Sequence, residues 1–232
     1  MKPLLILACA VAAPLAVAQA ADNATLTDTV WMQKAPSFAD LVAAYPEPAR
    51  AKGLEGRVML NCAFDAYGRL GHCQVINEIP MGAGFAKAAI ALSARFEGPT
   101  TLANGHNIAG SRAQFWIKFA PDMLAAANVP NPEWSALPTA AQFQGAFPDA
   151  AAKAGVLKAR AAMTCTVGAE GGLSGCAPAS EDPAGYGFGA QTLPLAPLFR
   201  VKLWGGDGRP VVGGSVRVPI RYDLTQAKAP KP

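Results

Sequence analysis

Cysteine is the residue type with the clearest chemical potential in this chain of 232 residues. Four cysteines form two pairs with equal spacing, Cys62 with Cys73 and Cys165 with Cys176. An even number of cysteines in an exported protein predicts disulfides, whereas a zinc site needs close ligand pairs joined by further cysteines or histidines. The two histidines have no counterparts in the repeat described below. We therefore predict one disulfide within each pair and no metal site.

Two other patterns suggest chemistry without completing it. Glycines at positions 82 and 84, and again at 185 and 187, resemble phosphate loops, but the Gly-Lys-Ser/Thr signature is missing. Turns at helix entries are the favoured interpretation. Glu78 and Glu181 also repeat, but one acid per copy does not make an acid–base pair, and a cap or turn contact explains each of them. The sequence therefore predicts no catalytic residues, no cofactor and no enzymatic activity.

An internal repeat organises the elements that carry these residues. Adding 103 to the position numbers from Cys62 to Phe119 aligns identical residues without a gap, several of them cysteine, glycine or aromatic. The identical pairs include Cys62 and Cys165, Gly68 and Gly171, Phe85 and Phe188, Phe96 and Phe199, and Ile117 and Ile220. The repeat predicts two tandem domains, which we call copy one (residues 31–120) and copy two (residues 134–224). A proline-containing linker over 121–133 and a flexible tail over 225–232 complete the prediction.

Each copy has the pattern of a small sheet covered by a helix. Apolar residues alternate over 58–64, a glycine turn follows, and a second strand runs over 69–77. Helical spacing then covers 85–95, and alternation returns over 111–119. Copy two repeats this order with a first strand poorer in large apolar residues and a helix interrupted by prolines. The predicted fold class is α+β, with two tandem domains that each pack a three-stranded antiparallel sheet on a helix.

The first twenty residues have the layout of a secretory signal peptide. Lys2 gives a positive start, residues 4–17 are apolar, and Ala18-Gln19-Ala20 is a small-x-small cleavage site. An uncleaved inner-membrane anchor is the alternative for residues 1–20, and Cys9 stands too early for a typical lipoprotein signal. No other stretch approaches the ~20 apolar residues of a membrane span, so no stable insertion is expected after cleavage. Basic residues are scattered and the net charge is +4, which does not favour a nucleic-acid partner.

A series of short segments runs in order through copy one: Tyr45-Pro46, the segments 53–58 and 65–70, Phe85 and Ala89, and the segment 95–99 with sequence Arg-Phe-Glu-Gly-Pro. In the order and spacing of these segments, copy one resembles the C-terminal domain of TonB-type energy transducers. Copy two matches less completely, at Phe147-Pro148, 171–173, Phe199-Arg200 and 208–211. The resemblance implies a periplasmic domain that grips an extended segment of an outer-membrane receptor or another envelope protein by strand addition, in the service of energy-dependent transport. The short segment 21–30 departs from the family's long spacer, so force transmission is not predicted.

The resemblance also places the gripping strand. In copy one the predicted partner-binding residues are Ser111, Arg112, Ala113, Gln114, Phe115, Trp116, Ile117, Lys118 and Phe119. In copy two the corresponding strand covers residues 213–222. Two alternatives remain open from the sequence. Either the edge of the last strand is exposed and binds a partner, or the other copy or the linker covers it, as in a structural cell-envelope protein whose copies pack together.

Overall fold

The computed structural model of the chain describes residues 32–225. The predicted signal peptide over 1–20, the start of copy one at Trp31 and the predicted tail beyond Thr225 lie outside the described residues. None of the helices within 32–225 combines the length and the apolar character that a membrane crossing requires.

Copy one packs a three-stranded antiparallel sheet against a helix. Its elements are α1 (Phe38–Ala44), α2 (Glu47–Ala51), β1 (Gly56–Phe64), β2 (Leu70–Ile79), α3 (Phe85–Ser93) and β3 (Arg112–Phe119). The strand order is β2-β1-β3. Helix α1 is an addition to the predicted elements. It begins at a capping box in which Ser37 and Asp40 exchange hydrogen bonds, and it buries Phe38 and Leu41.

The segment 121–223 builds a second, related sheet of four strands and a separate sheet of two strands. Its elements are α4 (Pro121–Ala125), β4 (Asn128–Val129), β5 (Trp134–Ala136), α5 (Ala140–Gly145), α6 (Asp149–Lys153), β6 (Lys158–Val167), β7 (Leu173–Asp182), α7 (Phe188–Thr192), a 3-10 helix (Leu193–Leu198), β8 (Arg200–Val201) and β9 (Ser215–Asp223). The strand order is β4-β9-β6-β7, and β4 runs parallel to β9. The predicted α+β fold class is confirmed. The segment 121–133, predicted as a linker, forms α4 and supplies β4 to this sheet.

The two disulfides close the two hairpins. Cys62 is bonded to Cys73 across β1 and β2, and Cys165 is bonded to Cys176 across β6 and β7. The Cα atoms of each pair are 4.0 and 4.1 Å apart. The first cysteine of each pair is buried on the core face, so each bridge ties the outermost strand of its sheet to the core.

The two cores use the same positions with different side chains. In β1 the buried face is formed by Val58, Leu60, Cys62 and Phe64, whereas β6 buries Ala159, Ala161, Met163, Cys165 and Val167. Equivalent aromatic clusters fill both cores, one from Tyr45, Phe85 and Phe119 and the other from Phe147, Phe188 and Tyr222. Strand β6 therefore forms over ten residues despite its small side chains.

The hydroxyl groups in the two clusters differ in their partners. In copy one the Tyr45 hydroxyl donates to the carbonyl of Leu54. In copy two the buried Tyr222 hydroxyl has no hydrogen-bond partner within residues 32–225. Burial raises the pKa of Tyr222 to about 12, because the phenolate would lose its hydration.

The two copies are in direct contact. The rings of Phe96 and Trp204 meet edge to face with centroids 4.8 Å apart. The backbone N–H of Phe38 donates to the carbonyl of Val212 at 3.0 Å, and the Phe38 side chain lies against Gly214. The copies therefore pack on each other through apolar side chains as well as through the connecting segment.

Candidate partner-binding edges

Strand β3 is an outer strand of the first sheet, because it pairs with β1 alone. The register is regular from Gly56 opposite Phe119 to Ala63 opposite Arg112. Antiparallel ladders bond alternate residues, so every second residue of β3 directs its N–H and C=O away from β1. The carbonyl of Ser111 accepts from the N–H of Phe64 at 2.9 Å, which fixes the odd-numbered residues as those that bond β1. The even-numbered residues therefore face the outer edge.

This alternation divides the nine residues predicted to bind a partner. Ala113, Phe115, Ile117 and Phe119 use their backbone groups toward β1, and Ser111 does so with its carbonyl. All five except the half-buried Phe115 are buried. The outer edge is formed by Arg112, Gln114, Trp116 and Lys118. Only these four can offer backbone groups to an added strand.

The first half of this edge is open. In the ladder with β1 these two residues face outward, and outside the ladders no backbone hydrogen bond within residues 32–225 uses the N–H or C=O of Arg112 or Gln114. Gln114 is also exposed. An unpaired donor and acceptor at the same outward-facing residue are what an extended peptide needs to add a strand.

Side chains beside the open edge are held on the face of the sheet. The guanidinium of Arg112 donates to the side-chain and backbone oxygens of Asn61 at 3.1 and 2.7 Å, and to the carbonyl of His72 at 3.2 Å. The guanidinium of Arg57 lies 5.0 Å from the centre of the Trp116 ring. These contacts keep both long side chains over the sheet and away from the path of an added strand.

Copy two covers the second half of the edge. The indole N–H of Trp204 donates to the carbonyl of Trp116 at 3.1 Å. The N–H of Lys118 donates to the carbonyl of Gly208 at 2.8 Å. The segment responsible, which we call the 204–210 turn, therefore takes two backbone groups that an added strand would otherwise use.

The 204–210 turn is fastened by packing and by charge. Gly208 has a φ of +85°, and a Cβ there would lie 2.9 Å from both Cβ and the carbonyl oxygen of Trp116. Arg209 forms a two-pronged ion pair with Asp122, with nitrogen–oxygen distances of 2.6 and 3.3 Å. The hydrogen bond from Arg209 lowers the pKa of Asp122 and raises that of Arg209.

The corresponding strand of copy two has a different edge. At the start of β9, the N–H of Ser215 donates to the carbonyl of Ala127, and β4 pairs with the strand there. The same alternation directs residues 217, 219 and 221 outward, and all three are exposed. One of them is Pro219, which has no N–H to offer. The second half of this edge therefore lacks a donor at its centre.

No local pattern in the sequence predicts that the 204–210 turn covers β3. The contact between Trp204 and Trp116 spans 88 positions and has no local pattern to reveal it. The sequence contains one sign of this contact. Trp204 aligns with Thr101 of copy one in the repeat, so the tryptophan is present in copy two alone. A tryptophan that departs from the repeat indicates a contact that the other copy does not make.

Within the described range 32–225, no cluster of three or more His, Cys, Asp or Glu side chains is placed to hold a metal ion. Glu78 and Glu181, the acids that repeat, both accept hydrogen bonds from backbone N–H groups of the glycine turn and the following helix. The backbone N–H groups of Gly189 and Gly185 lower the pKa of Glu181. These acids thus have the cap role that the sequence favours.

Comparison with known proteins agrees with the resemblance in copy one. A family model described as the Gram-negative bacterial TonB protein C-terminal matches residues 42–120. An uncharacterized protein of Caulobacter vibrioides is 32% identical over 97 residues, which cover 39% of this chain and 97% of that protein. The family consists of non-enzymatic protein-interaction domains of the Gram-negative envelope. Through copy one, this chain belongs to the TonB C-terminal domain family.

Proposed function

We propose that this chain is a non-enzymatic periplasmic protein that binds an extended segment of an outer-membrane receptor or another envelope protein by strand addition to β3. The binding serves energy-dependent transport, as in the family. The observation that carries the proposal is the open backbone of Arg112 and Gln114 at the outer edge of the first sheet. Main-chain hydrogen bonds supply the affinity in this mode of recognition, so the side-chain sequence of the partner can vary.

The test removes one outward-facing donor. Gln114→Pro deletes the N–H of residue 114 and places a ring in the path of the added strand, while the ladder to β1 uses the neighbouring residues. We expect binding to weaken by about tenfold or more, since one lost hydrogen bond and a steric conflict exceed ~1.4 kcal/mol together. The measurement is a fluorescence titration of the full mature chain with synthetic peptides from the periplasm-facing N-terminal segments of outer-membrane receptors.

Two controls separate binding from folding. Gln114→Ala retains the N–H and should bind as the natural chain does. Arg217→Pro makes the equivalent change in β9 and should leave binding unchanged if copy one is the site. Copy two already holds Pro219 at an outward-facing position, so this type of strand accommodates proline. Equal binding by Gln114→Pro and Gln114→Ala would contradict the proposal.

Localisation is part of the same proposal. Export through the signal peptide over residues 1–20 would deliver the chain to the periplasm. Mass spectrometry of a periplasmic extract should then find a mature N-terminus within about two residues of Ala21. A chain with its intact N-terminus, found only in the inner-membrane fraction, would favour the anchored alternative.

The contacts between the copies favour a second candidate function. Phe96 against Trp204 and Phe38 against Gly214 join the copies into one packed body, as expected for a structural cell-envelope protein. In that case no receptor peptide binds the natural chain or any variant. The titration above therefore decides between the two candidates.

A further inference from the structure

We propose that the 204–210 turn is a resident occupant of copy one's edge, which a partner must displace to pair with the whole of β3. The inference rests on the proposed function, because displacement has a consequence only if copy one binds an extended segment. Copy two would then regulate copy one, and the groups that the turn satisfies would define the chemistry of the partner.

The 204–210 turn can keep its own conformation when it separates from β3, because it has hydrogen bonds of its own. Its internal hydrogen bonds run from the N–H of Gly205 to the carbonyl of Arg209 and from the N–H of Gly208 to the carbonyl of Gly205, both at 2.9 Å. To β3 it makes two polar contacts, one of them from a side chain. An added strand can satisfy the same two groups and also those of Arg112 and Gln114, so a partner strand has more backbone hydrogen bonds to gain than the turn has to lose.

Displacement would leave four groups unsatisfied, three of them in copy one and the fourth in helix α4. These are the carbonyl of Trp116, the N–H of Lys118, the ring of Phe96 and the carboxylate of Asp122. A partner strand supplies backbone partners for the first two. The Phe96 ring, 1% exposed, needs another aromatic ring to replace Trp204, and Asp122 needs a cation to replace Arg209. The geometry therefore points to an extended segment with an aromatic residue beside Trp116 and a basic residue near Asp122.

A substitution at Gly208 moves the 204–210 turn away from β3 without changing any residue of copy one. Gly208→Ala adds a methyl group that would lie 2.9 Å from the Trp116 carbonyl oxygen, at a φ of +85° that alanine rarely adopts. The turn must shift away from β3 to accommodate it. Arg209→Gln is a gentler second variant, because it removes the ion pair and leaves Asp122 available to the partner.

Hydrogen exchange tests displacement without any ligand. In the natural chain the Lys118 amide should exchange faster than the Ile117 and Phe119 amides, which bond to β1, because it is released when the turn lifts. Gly208→Ala should speed exchange at Lys118 and leave Ile117 unchanged. Equal protection of Lys118 and Ile117 in both proteins would overturn the proposal, since the turn would then open only on global unfolding.

A titration tests the effect on binding and the chemistry of the partner. The probe is a short labelled synthetic peptide of threonine and serine with one tryptophan and one arginine. Two sister peptides carry alanine for the tryptophan or glutamine for the arginine. Apparent affinity is reduced by the fraction of molecules that are closed, so Gly208→Ala should bind the probe about tenfold more tightly than the natural chain, with a smaller gain for Arg209→Gln. Both sister peptides should bind more weakly than the probe.

The outcomes separate this inference from the proposed function. Equal binding by the natural chain, Gly208→Ala and Arg209→Gln, with Gln114→Pro still weakening it, overturns displacement and supports the proposed function. Faster exchange at Lys118 without peptide binding by any variant overturns the proposed function, and the regulatory role with it. Equal binding of the probe and its sister peptides overturns the assignment of an aromatic and basic partner.

Discussion

Strands β3 and β9 occupy equivalent positions in the two copies, yet their outer edges differ. In β3 the first half is open and the 204–210 turn covers the second half. In β9 the strand β4 covers the first half, and Pro219 interrupts the second. Position 219 corresponds to Trp116 in the repeat. In both copies the last strand pairs with the first strand of the disulfide-closed hairpin, β3 with β1 and β9 with β6. The outer edges differ, because different parts of the two strands are covered and different structural features cover them.

The two devices have different consequences for binding. We expect that a partner can displace a turn that makes two polar contacts with β3, whereas a missing N–H cannot be restored by any motion. The outward residues of β9 also include Arg217 and Arg221, and Arg221 stands opposite Arg160 on β6. Proline and charge are the usual protections of a strand edge against unwanted pairing. Copy one is therefore the copy suited to strand addition, and copy two the copy suited to packing against it.

The hydrophobic cores of the two copies also differ, because β1 of copy one buries larger apolar side chains than β6 of copy two. Copy one lines β1 with Val58, Leu60 and Phe64, whereas copy two lines β6 with Ala159, Ala161, Met163 and Val167. Because each buried CH₂ group contributes about 0.8 kcal/mol, the hairpin of copy two has less apolar burial to hold it together. It should therefore depend more on its disulfide.

Of the changes that test the difference between the copies, removal of the disulfides has the largest expected effect on the free energy of unfolding. Replacing Cys165 and Cys176 by alanine should lower the free energy of unfolding by about 3 kcal/mol in the chain-entropy description of a loop of this length. The same change at Cys62 and Cys73 removes an equal loop constraint, but the larger side chains of β1 should limit local opening. Denaturant unfolding measures the total loss, and amide exchange in β7 and β2 measures local opening.

The matched double variant in copy one is the control for this experiment. We expect β7 to lose protection after its disulfide is removed, and β2 to retain more of its protection after the equivalent change. Greater loss in β2 than in β7 would mean that side-chain size in the first strand does not decide which hairpin needs its bridge.

The sequence predicted the parts of the fold that depend on local pattern. Alternation placed the last strand of copy one at 111–119, against 112–119 in the structure, and the equal cysteine spacing predicted both hairpin bridges. Helix α1 was missed, because its signal is the short capping box at Ser37 and its stability comes from burying Phe38 and Leu41. That burial depends on tertiary contacts, including Gly214 of copy two.

The candidate site was predicted only in outline. The family resemblance predicted that residues 111–119 form a strand at the edge of a sheet, and β3 lies there, whereas partner binding by this strand stays a prediction. Which residues face outward depends on the register with β1, and a shift of one residue would exchange Gln114 for Ala113. The covering by the 204–210 turn depends on how the copies pack, which no local pattern in either copy reports.

The smallest expected effect concerns the hydroxyl that distinguishes the aromatic clusters. Tyr222→Phe removes a buried hydroxyl without a partner in the described structure, and copy one already has Phe119 at the equivalent position. We expect the free energy of unfolding to rise by about 1 kcal/mol, because the desolvation of an unpaired polar group is relieved. The reverse change, Phe119→Tyr, should lower it by ~1–3 kcal/mol, since Phe119 is fully buried and the nearby carbonyl of Leu54 already accepts from Tyr45.

Alkaline titration sharpens the same prediction. Burial raises the pKa of Tyr222 from 10.0 to about 12, so the folded state keeps its proton where the unfolded chain has lost it. The stability that the neutral phenol contributes is full below pH 10 and falls as the pH rises toward 12. Denaturant unfolding of the natural chain should therefore show a decline in this window that is smaller in Tyr222→Phe. Parallel declines in the two proteins would mean that Tyr222 ionises as readily in the folded protein as in the unfolded chain, and would contradict a hydroxyl that is buried without hydration.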